Sequence, residues 1–329
     1  MKPFAYHTPA DPGQLQELLG ANNGPARIIA GGSDLLGELK SGLVHYPHLV
    51  SLAGLGGLDA VRQEGAGLHL GAMVTLAGLE RARLLAGPYA MLAEAARGVA
   101  TPEIRNQGTL GGNLCQRPRC LHYRSSWVPC LKKGGEGCPA REGEQQGYLS
   151  VMGGGACAAV NPSDLAPPLL ALGAEAVLKK GDAERQVPLD AFFAGPEEIA
   201  RRDNVLAEGE WLAGVRLPPA PEGWRGVYLK ARERTAGDFA LAGVAFGCRL
   251  EGETMRDVRL VTGSLAAAPA RMPGAEALLE GQSLTGELAG RAADAVFAQA
   301  QPLAHNGFKL ALGRALVTRA ITQVVATLG

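Results

Sequence analysis

Charge of one sign is missing: 32 Lys and Arg balance 32 Asp and Glu, so the net charge is zero and no global field steers the chain towards nucleic acid or anionic lipid. Aromatic residues are scarce at 5%, whereas 46 glycines and 21 prolines favour tight turns and close backbone contacts over large aromatic cores. A run of ~18 apolar residues is also lacking, so no membrane span is expected. The opening MKPFAYHTPADPGQ has no continuous apolar stretch, so we expect no secretory signal and a cytoplasmic location by default, with export on a partner's signal left open. Internal repeats and low-complexity tracts are absent. What is present is 329 residues that are 47% hydrophobic, enough for two or three packed cores.

The pattern predicts an α+β protein. Asp11-Pro12 opens a helix, Arg27 to Ala30 is a short buried strand, Leu35 to Leu39 a second helix, and His48 to Leu52 the next strand of a parallel pair, which closes a small lobe near residue 55. A second, larger, mixed-sheet lobe is expected over 56–217, with strands at 68–72, 158–160, 174–179 and 211–217, helices around 75–85 and 88–98, and a helix capped by Ser163 or Asp164. Pro218-Pro219-Ala220-Pro221 marks a linker, because consecutive prolines continue neither a helix nor a central strand. Beyond it, 222–329 reads as an antiparallel sheet at about 226–263 followed by helices near 273–280, 284–299 and 307–328.

Two glycine loops carry chemistry. In Ile28-Ile29-Ala30-Gly31-Gly32-Ser33-Asp34-Leu35, residues without Cβ follow a strand and precede a helix, so successive N–H groups can converge on an anion. The run is neither G-x-G-x-x-G nor Walker A, and taken alone it is equally a turn that needs small residues. The second loop, Thr101 to Leu114, brings Gly108, Gly111 and Gly112 together with Arg105, Thr109 and Asn113, and two phosphate-cradling loops suggest a dinucleotide.

The remaining signal is cysteine. Five of the six (Cys115, Cys120, Cys130, Cys138, Cys157) fall between positions 115 and 157, inside a polar, glycine-rich segment too long for an ordinary loop, while Cys248 stands alone in an apolar run. Six cations from Arg117 to Arg141 face only Glu136 there, and cations favour thiolate. Cys120, Cys130, Cys138 and Cys157 could complete a metal site, but no close C-x2-C pair is present, so spacing leaves iron-sulfur and zinc both open.

Ala30 to Leu35, Ile104 to Leu114, Asn161-Pro162-Ser163-Asp164-Leu165-Ala166-Pro167, and Lys230-Ala231-Arg232 with Asp238 to Ala242 closely resemble, in that order, the FAD-binding subunits of the molybdenum hydroxylases, the family of xanthine dehydrogenase, carbon monoxide dehydrogenase and hydroxybenzoyl-CoA reductase. The resemblance spans nearly the whole chain. It implies an oxidoreductase subunit that binds FAD through Arg27, Ile28, Ile29, Ala30, Gly31, Gly32, Ser33, Asp34 and Leu35, with Gly108, Thr109, Gly112 and Asn113 packing against the pyrophosphate. Ser163, Asp164 and Leu212 are further expected contacts, Asp164 on a cofactor hydroxyl, and Lys230 is expected to reach the flavin end. It implies partners too: a molybdopterin-binding large subunit and a 2Fe-2S small subunit, since neither centre has residues left to hold it here.

Most members of the family run directly from the Gly-Gly-Asn loop to the Ser-Asp-Leu helix, so the insertion at about 114–157 is the departure. Hydroxybenzoyl-CoA reductase and a bacterial aldehyde oxidoreductase carry a 4Fe-4S cluster in such an insertion, and the arrangement here looks more like the aldehyde enzyme. The resemblance therefore implies a 4Fe-4S cluster on Cys120, Cys130, Cys138 and Cys157, with Cys115 an alternative to Cys120. Chain reach keeps Asn113 and Cys120 within ~25 Å and Cys157 and Ser163 within ~22 Å, so the cluster would lie near the flavin. The rival readings are a hydroxybenzoyl-CoA reductase flavin subunit, a zinc-containing nucleotide-binding partner module, and a free-standing flavin oxidase.

Overall fold

A computed structural model describes residues 1–20, 24–144, 146–153 and 155–328, so Gln145 and Gly154 of the expected insertion lie outside the described residues. The first lobe is a parallel sheet of β1 (Ala5–His7), β2 (Ala26–Ile29) and β3 (His48–Ser51) in the order β1-β3-β2. Helices α1 (Pro12–Gly20) and α2 (Leu35–Lys40) make the crossovers. Parallel sheets need cover on both faces, and the strands divide accordingly. Ile29 and Leu49 pack with Leu39 on one side, and Ile28 and Val50 with Leu15 on the other. β1 escaped the sequence reading because its three residues are exposed or half-exposed, so no apolar pattern marks it, and it joins the sheet by backbone pairing and a His7–His48 ring contact.

The second lobe is a five-stranded sheet of β4 (Val61–Glu64), β5 (Gly67–Gly71), β6 (Glu175–Lys180), β7 (Ala183–Pro188) and β8 (Trp211–Leu217), ordered β4-β5-β8-β6-β7. All its pairings are antiparallel where the sequence suggested a mixed sheet. The two-residue connections Gly65-Ala66 and Gly181-Asp182 leave room for hairpins only. Helices α3 (Leu76–Arg81), α4 (Ala90–Arg97), α5 (Pro102–Gln107) and α6 (Leu110–Leu114) lead to the insertion, whose described residues include the short helix α7 (Leu121–Arg124) and single 3-10 turns. Regular structure resumes with α8 (Ala166–Ala171) and α9 (Leu189–Phe192). Leu70, Leu92, Leu110, Leu169, Phe192 and Val215 share the main core.

Ala158 to Val160 form no strand. They are buried, Ala158 accepts from the Ser150 N–H and the Asn161 N–H donates to the Ala266 carbonyl, so the small side chains serve a tight crossing between insertion and C-terminal sheet.

Past the prolines, β9 (Arg225–Ala231), β10 (Ala242–Glu251), β11 (Thr254–Gly263) and β12 (Ala270–Arg271) form an antiparallel sheet in the order β12-β11-β10-β9. α10 (Pro273–Leu279), α11 (Gly286–Val296) and α12 (Phe308–Leu328) cover one face through Val317, Ile321 and Val324 against Val244, Phe246 and Cys248. Ala245 and Val261 on the opposite face complete the core of the second lobe, so the two sheets share a hydrophobic boundary. Among the described residues, no helix is long and apolar enough to cross a membrane.

Candidate functional site

Between the first two lobes lies a cleft of about 860 Å³, in the size range of cofactor pockets. Every residue from Arg27 to Leu35 lines it, together with Thr109, Gly111 and Gly112 from the second loop, Leu212 from β8, and Asp203 and Leu206 from the loop before β8. The turn after β2 is built for close approach. Gly32 has φ of +70°, and a Cβ at Gly31 would stand 1.9 Å from the Gln107 carbonyl oxygen, so the two loops touch backbone to backbone. Among the described residues, the N–H groups of Gly31, Gly32 and Ser33 donate to no protein acceptor, although they wall a cleft at the foot of α2. Such a row of open donors is what an anionic phosphate requires.

The second loop supplies wall rather than donors. Thr109 caps α6 by accepting from the Gly112 N–H at 3.1 Å, and the Gly111 N–H is spent on the Ala72 carbonyl. Gly108, Asn113, Ser163, Asp164 and Lys230 stand behind the cleft rather than on its surface. Ser163 Oγ donates to Asn113 Oδ1 at 2.6 Å and accepts from the N–H of Ala166, the first residue of α8, whose N-cap position is held by Leu165 rather than by Ser163 or Asp164. Asp164 is held by the Tyr228 hydroxyl at 2.8 Å and by Lys230 Nζ at 2.7 Å, a pair whose side chains are only 4% and 8% exposed. Burial, then the neighbouring Asp164 charge, pushes the Tyr228 hydroxyl well above the usual phenol range, so it stays a donor.

The insertion docks on the cleft through charge. Asp34, at the N-terminus of α2, makes no cap with its side chain. It accepts instead from the Arg117 N–H at 2.8 Å and from Arg124 at 2.7 Å, and pairs ionically with Arg119 at 3.0 Å. Tyr123 donates to buried Glu38, and Asp203 pairs with Arg117 and Lys132, both at 2.7 Å. Sequence reasoning missed Asp203 and Arg117 as cleft residues, since no local pattern joins partners so far apart along the chain.

The cysteines separate into three environments. Cys115 lines the cleft, where burial pushes its thiol up to about 12, and Cys248 is buried in the C-terminal core. Cys120 packs among neighbours of both Cys157 and Cys138. A hydrogen bond between Cys138 and Cys157 holds the former down to about 5 and raises the latter, and burial raises Cys120. Cys120 also feels Cys130 and Cys138 electrostatically. Among the described residues, however, no three His, Cys, Asp or Glu side chains stand together as a metal-ligating group.

Residues 2–220 match the family described as the FAD binding domain in molybdopterin dehydrogenase, and residues 227–324 the CO dehydrogenase flavoprotein C-terminal domain. The chain belongs to the FAD-binding medium subunits of the molybdenum hydroxylases. It is 33% identical to the aldehyde oxidoreductase FAD-binding subunit of Escherichia coli (strain K12), over 99% of both chains. It is 28% identical to the carbon monoxide dehydrogenase medium chain of Hydrogenophaga pseudoflava, over 98% of this chain and 97% of that one. A solved structure of carbon monoxide dehydrogenase from the same organism, which lacks the Mo-pyranopterin moiety, superposes with a TM-score of 0.79 at 28% identity, covering 99% and 98% of the two chains. The expected α+β fold of this medium-subunit family, with its C-terminal domain, is thereby shown, and its FAD-binding domain fits the open N–H row of the cleft.

Proposed function

We propose that this chain is the FAD-carrying electron-transfer subunit of a molybdenum hydroxylase complex of the aldehyde oxidoreductase type. One observation carries the reading: the unpartnered N–H groups of Gly31, Gly32 and Ser33 in a cleft walled by both lobes, in a chain 33% identical to an aldehyde oxidoreductase FAD subunit. The N–H row would hold the diphosphate, Leu212 and Arg27 to Ala30 would line the rest of the cofactor, and Thr109 and Gly112 would close the far wall. The hydrogen-bonded layer of Asn113, Ser163, Asp164, Tyr228 and Lys230 would fix the second lobe against the C-terminal sheet at the flavin end. A bound flavin supplies exchange between one-electron and two-electron carriers, while the chain sets its position and surroundings.

Partner subunits would hold the molybdenum and 2Fe-2S centres, and electrons would pass between them and an external acceptor. The finer proposal is a 4Fe-4S cluster on Cys120, Cys130, Cys138 and Cys157. Its support is the cysteine pattern with partial proximity: Cys138 and Cys157 are hydrogen-bonded, Cys120 packs beside both, and Cys120 feels Cys130 electrostatically. Cys115 lines the cleft, which favours Cys120 over it as the fourth ligand.

Co-purification with cofactor analysis tests both levels. The expected result is two partner chains, one flavin per chain by visible absorbance, and iron with acid-labile sulfide beyond what the partners account for. No flavin after mild purification and reconstitution would overturn the subunit assignment; flavin with zinc in place of iron in the isolated chain would overturn only the cluster.

A further inference from the structure

We propose that the cysteine-bearing insertion is an electrostatic counter-wall of the cleft: its cations offset Asp34 and Asp203 and one hydroxyl hydrogen-bonds Glu38, three acids that would otherwise repel a diphosphate. The inference rests on the FAD reading above and adds to it a role in which the insertion governs cofactor affinity.

The cleft has a built-in conflict. A diphosphate is doubly negative, yet Asp34 follows the N–H row directly, Glu38 stands one helical turn further along α2, and Asp203 faces them from the loop before β8; all three line the same cavity. Asp34 and Asp203 side chains are only 16% and 13% exposed, so water screens them poorly. At an effective dielectric of about 20, one uncompensated carboxylate within several ångströms of a phosphate changes affinity by roughly ten- to a hundredfold.

The insertion resolves this at each position. Asp34 receives Arg119, Arg124 and the Arg117 N–H; Glu38 receives the Tyr123 hydroxyl; Asp203 receives Arg117 and Lys132. Among the described residues, every hydrogen bond and ion pair to these three carboxylates comes from positions 117–132. The donors are themselves braced. Arg117 and Arg124 flank the Tyr123 ring at 5.1 and 5.5 Å, Arg119 lies over Phe239 at 4.5 Å, and Arg124 Nε donates to the Pro118 carbonyl. Cations tied down in this way act as fixed charge rather than as mobile side chains that could turn to solvent.

The test measures FAD affinity by flavin fluorescence titration of the full-length apoprotein, for wild type, Arg124→Met, Arg124→Lys and the double variant Arg124→Met/Asp34→Asn. Arg124→Met removes one of the two cations on Asp34 and leaves Arg119 in place, so it is expected to weaken FAD by roughly three- to tenfold at low salt, with the loss shrinking as ionic strength rises. Arg124→Lys should stay near wild type, and the double variant should regain most of the lost affinity, because removing the acid removes the need for its cation. Unchanged affinity in Arg124→Met overturns the proposal, and so does a double variant as weak as the single one, which would mark a merely structural arginine. If Arg124→Met does not fold by circular dichroism, Lys132→Met with and without Asp203→Asn makes the same comparison at the opposite wall. A wild-type chain that takes up no FAD at all would instead sink the FAD reading itself.

Discussion

Replacing Gly31 by alanine tests the cleft at its narrowest point. The added Cβ would lie 1.9 Å from the Gln107 carbonyl oxygen and 2.7 Å from its carbon, whereas ordinary contact begins at 3.4 Å. The two loops must therefore part by up to 3.4 − 1.9 = 1.5 Å. Neither side yields easily. The Gly108 N–H and carbonyl are both bonded, to Ile104 and Leu76, Leu110 is tied to Val74, and the turn at Gly31 continues directly from Ile29, which is packed in its own core. An overpacked site that cannot relax costs about 1–3 kcal/mol or more, and here the strain falls on the contact that closes the cleft. We expect Gly31→Ala to lose bound flavin, read as the ratio of visible to ultraviolet absorbance, and to melt roughly 2–4 °C lower. Gly37→Ala is the control: it lies in α2 with nothing within 4 Å of the new atom, so it should keep its flavin and gain up to about 1 kcal/mol. A Gly31→Ala protein with full flavin and an unchanged melt would refute the backbone-contact account of the cleft.

Other perturbations probe the remaining layers. Lys230→Met strands the buried Asp164 carboxylate and should cost about 3–5 kcal/mol in urea unfolding, most of it recovered in Asp164→Asn/Lys230→Met; equal stability of the single variant and wild type would contradict it. Lys309, fully buried on α12 and donating to the Leu149 and Ser264 carbonyls at 2.8 and 3.0 Å, is brought by burial to about 7 from 10.5. The unfolded chain then binds the extra proton between those values, so stability should rise with pH across that window by up to about 5 kcal/mol. Lys309→Met should flatten that rise in urea melts at pH 7 to 10, and parallel pH profiles would disprove it. Cys138→Ser and Cys157→Ser should each lower iron and sulfide content, whereas Cys115→Ala and Cys248→Ala should not; equal iron in all four would defeat the proposed ligand set.

What the sequence disclosed was what is local. β8 falls on 211–217 as expected, and α12 begins within one residue of its expected start, because a continuously buried apolar strand and a long apolar stripe announce themselves over consecutive positions. The N–H row was legible for the same reason: strand, two glycines and helix follow one another. β1, β4 and β7 were not, since their burial is slight and their identity comes from the neighbour they pair with. The roles of Asp34 and Asp164 were obscured differently. Each was singled out as a cofactor contact, yet what fixes its carboxylate is an arginine or lysine from another segment, and pairings over such separations leave no periodicity to read.

The place of the insertion explains how such an excursion can be accommodated without disturbing the fold. Its two ends meet: Asn113, in the last turn of α6, is joined to Ser163, ahead of α8, by a 2.6 Å hydrogen bond buried under the main core. With the neck already closed, lengthening the chain between these residues adds only the slowly growing logarithmic cost of a longer loop, about 0.6 kcal/mol per doubling. The excursion is then held at both flanks. Arg117, Arg119 and Arg124 seize the cleft side, while Lys309 and Asn306 grip the Leu149 and Ser150 carbonyls from the C-terminal helix side. Any change that loosens the cysteine segment should therefore be felt first where its ties are ionic and not fully buried, at Asp34 and Asp203, and last at the fully buried Lys309 anchor. Hydrogen exchange can order these events: the amides of 117–133 should lose protection at a lower denaturant concentration than those of 149–152, and the reverse order would show that the insertion is hung from the C-terminal domain and only leans on the cleft.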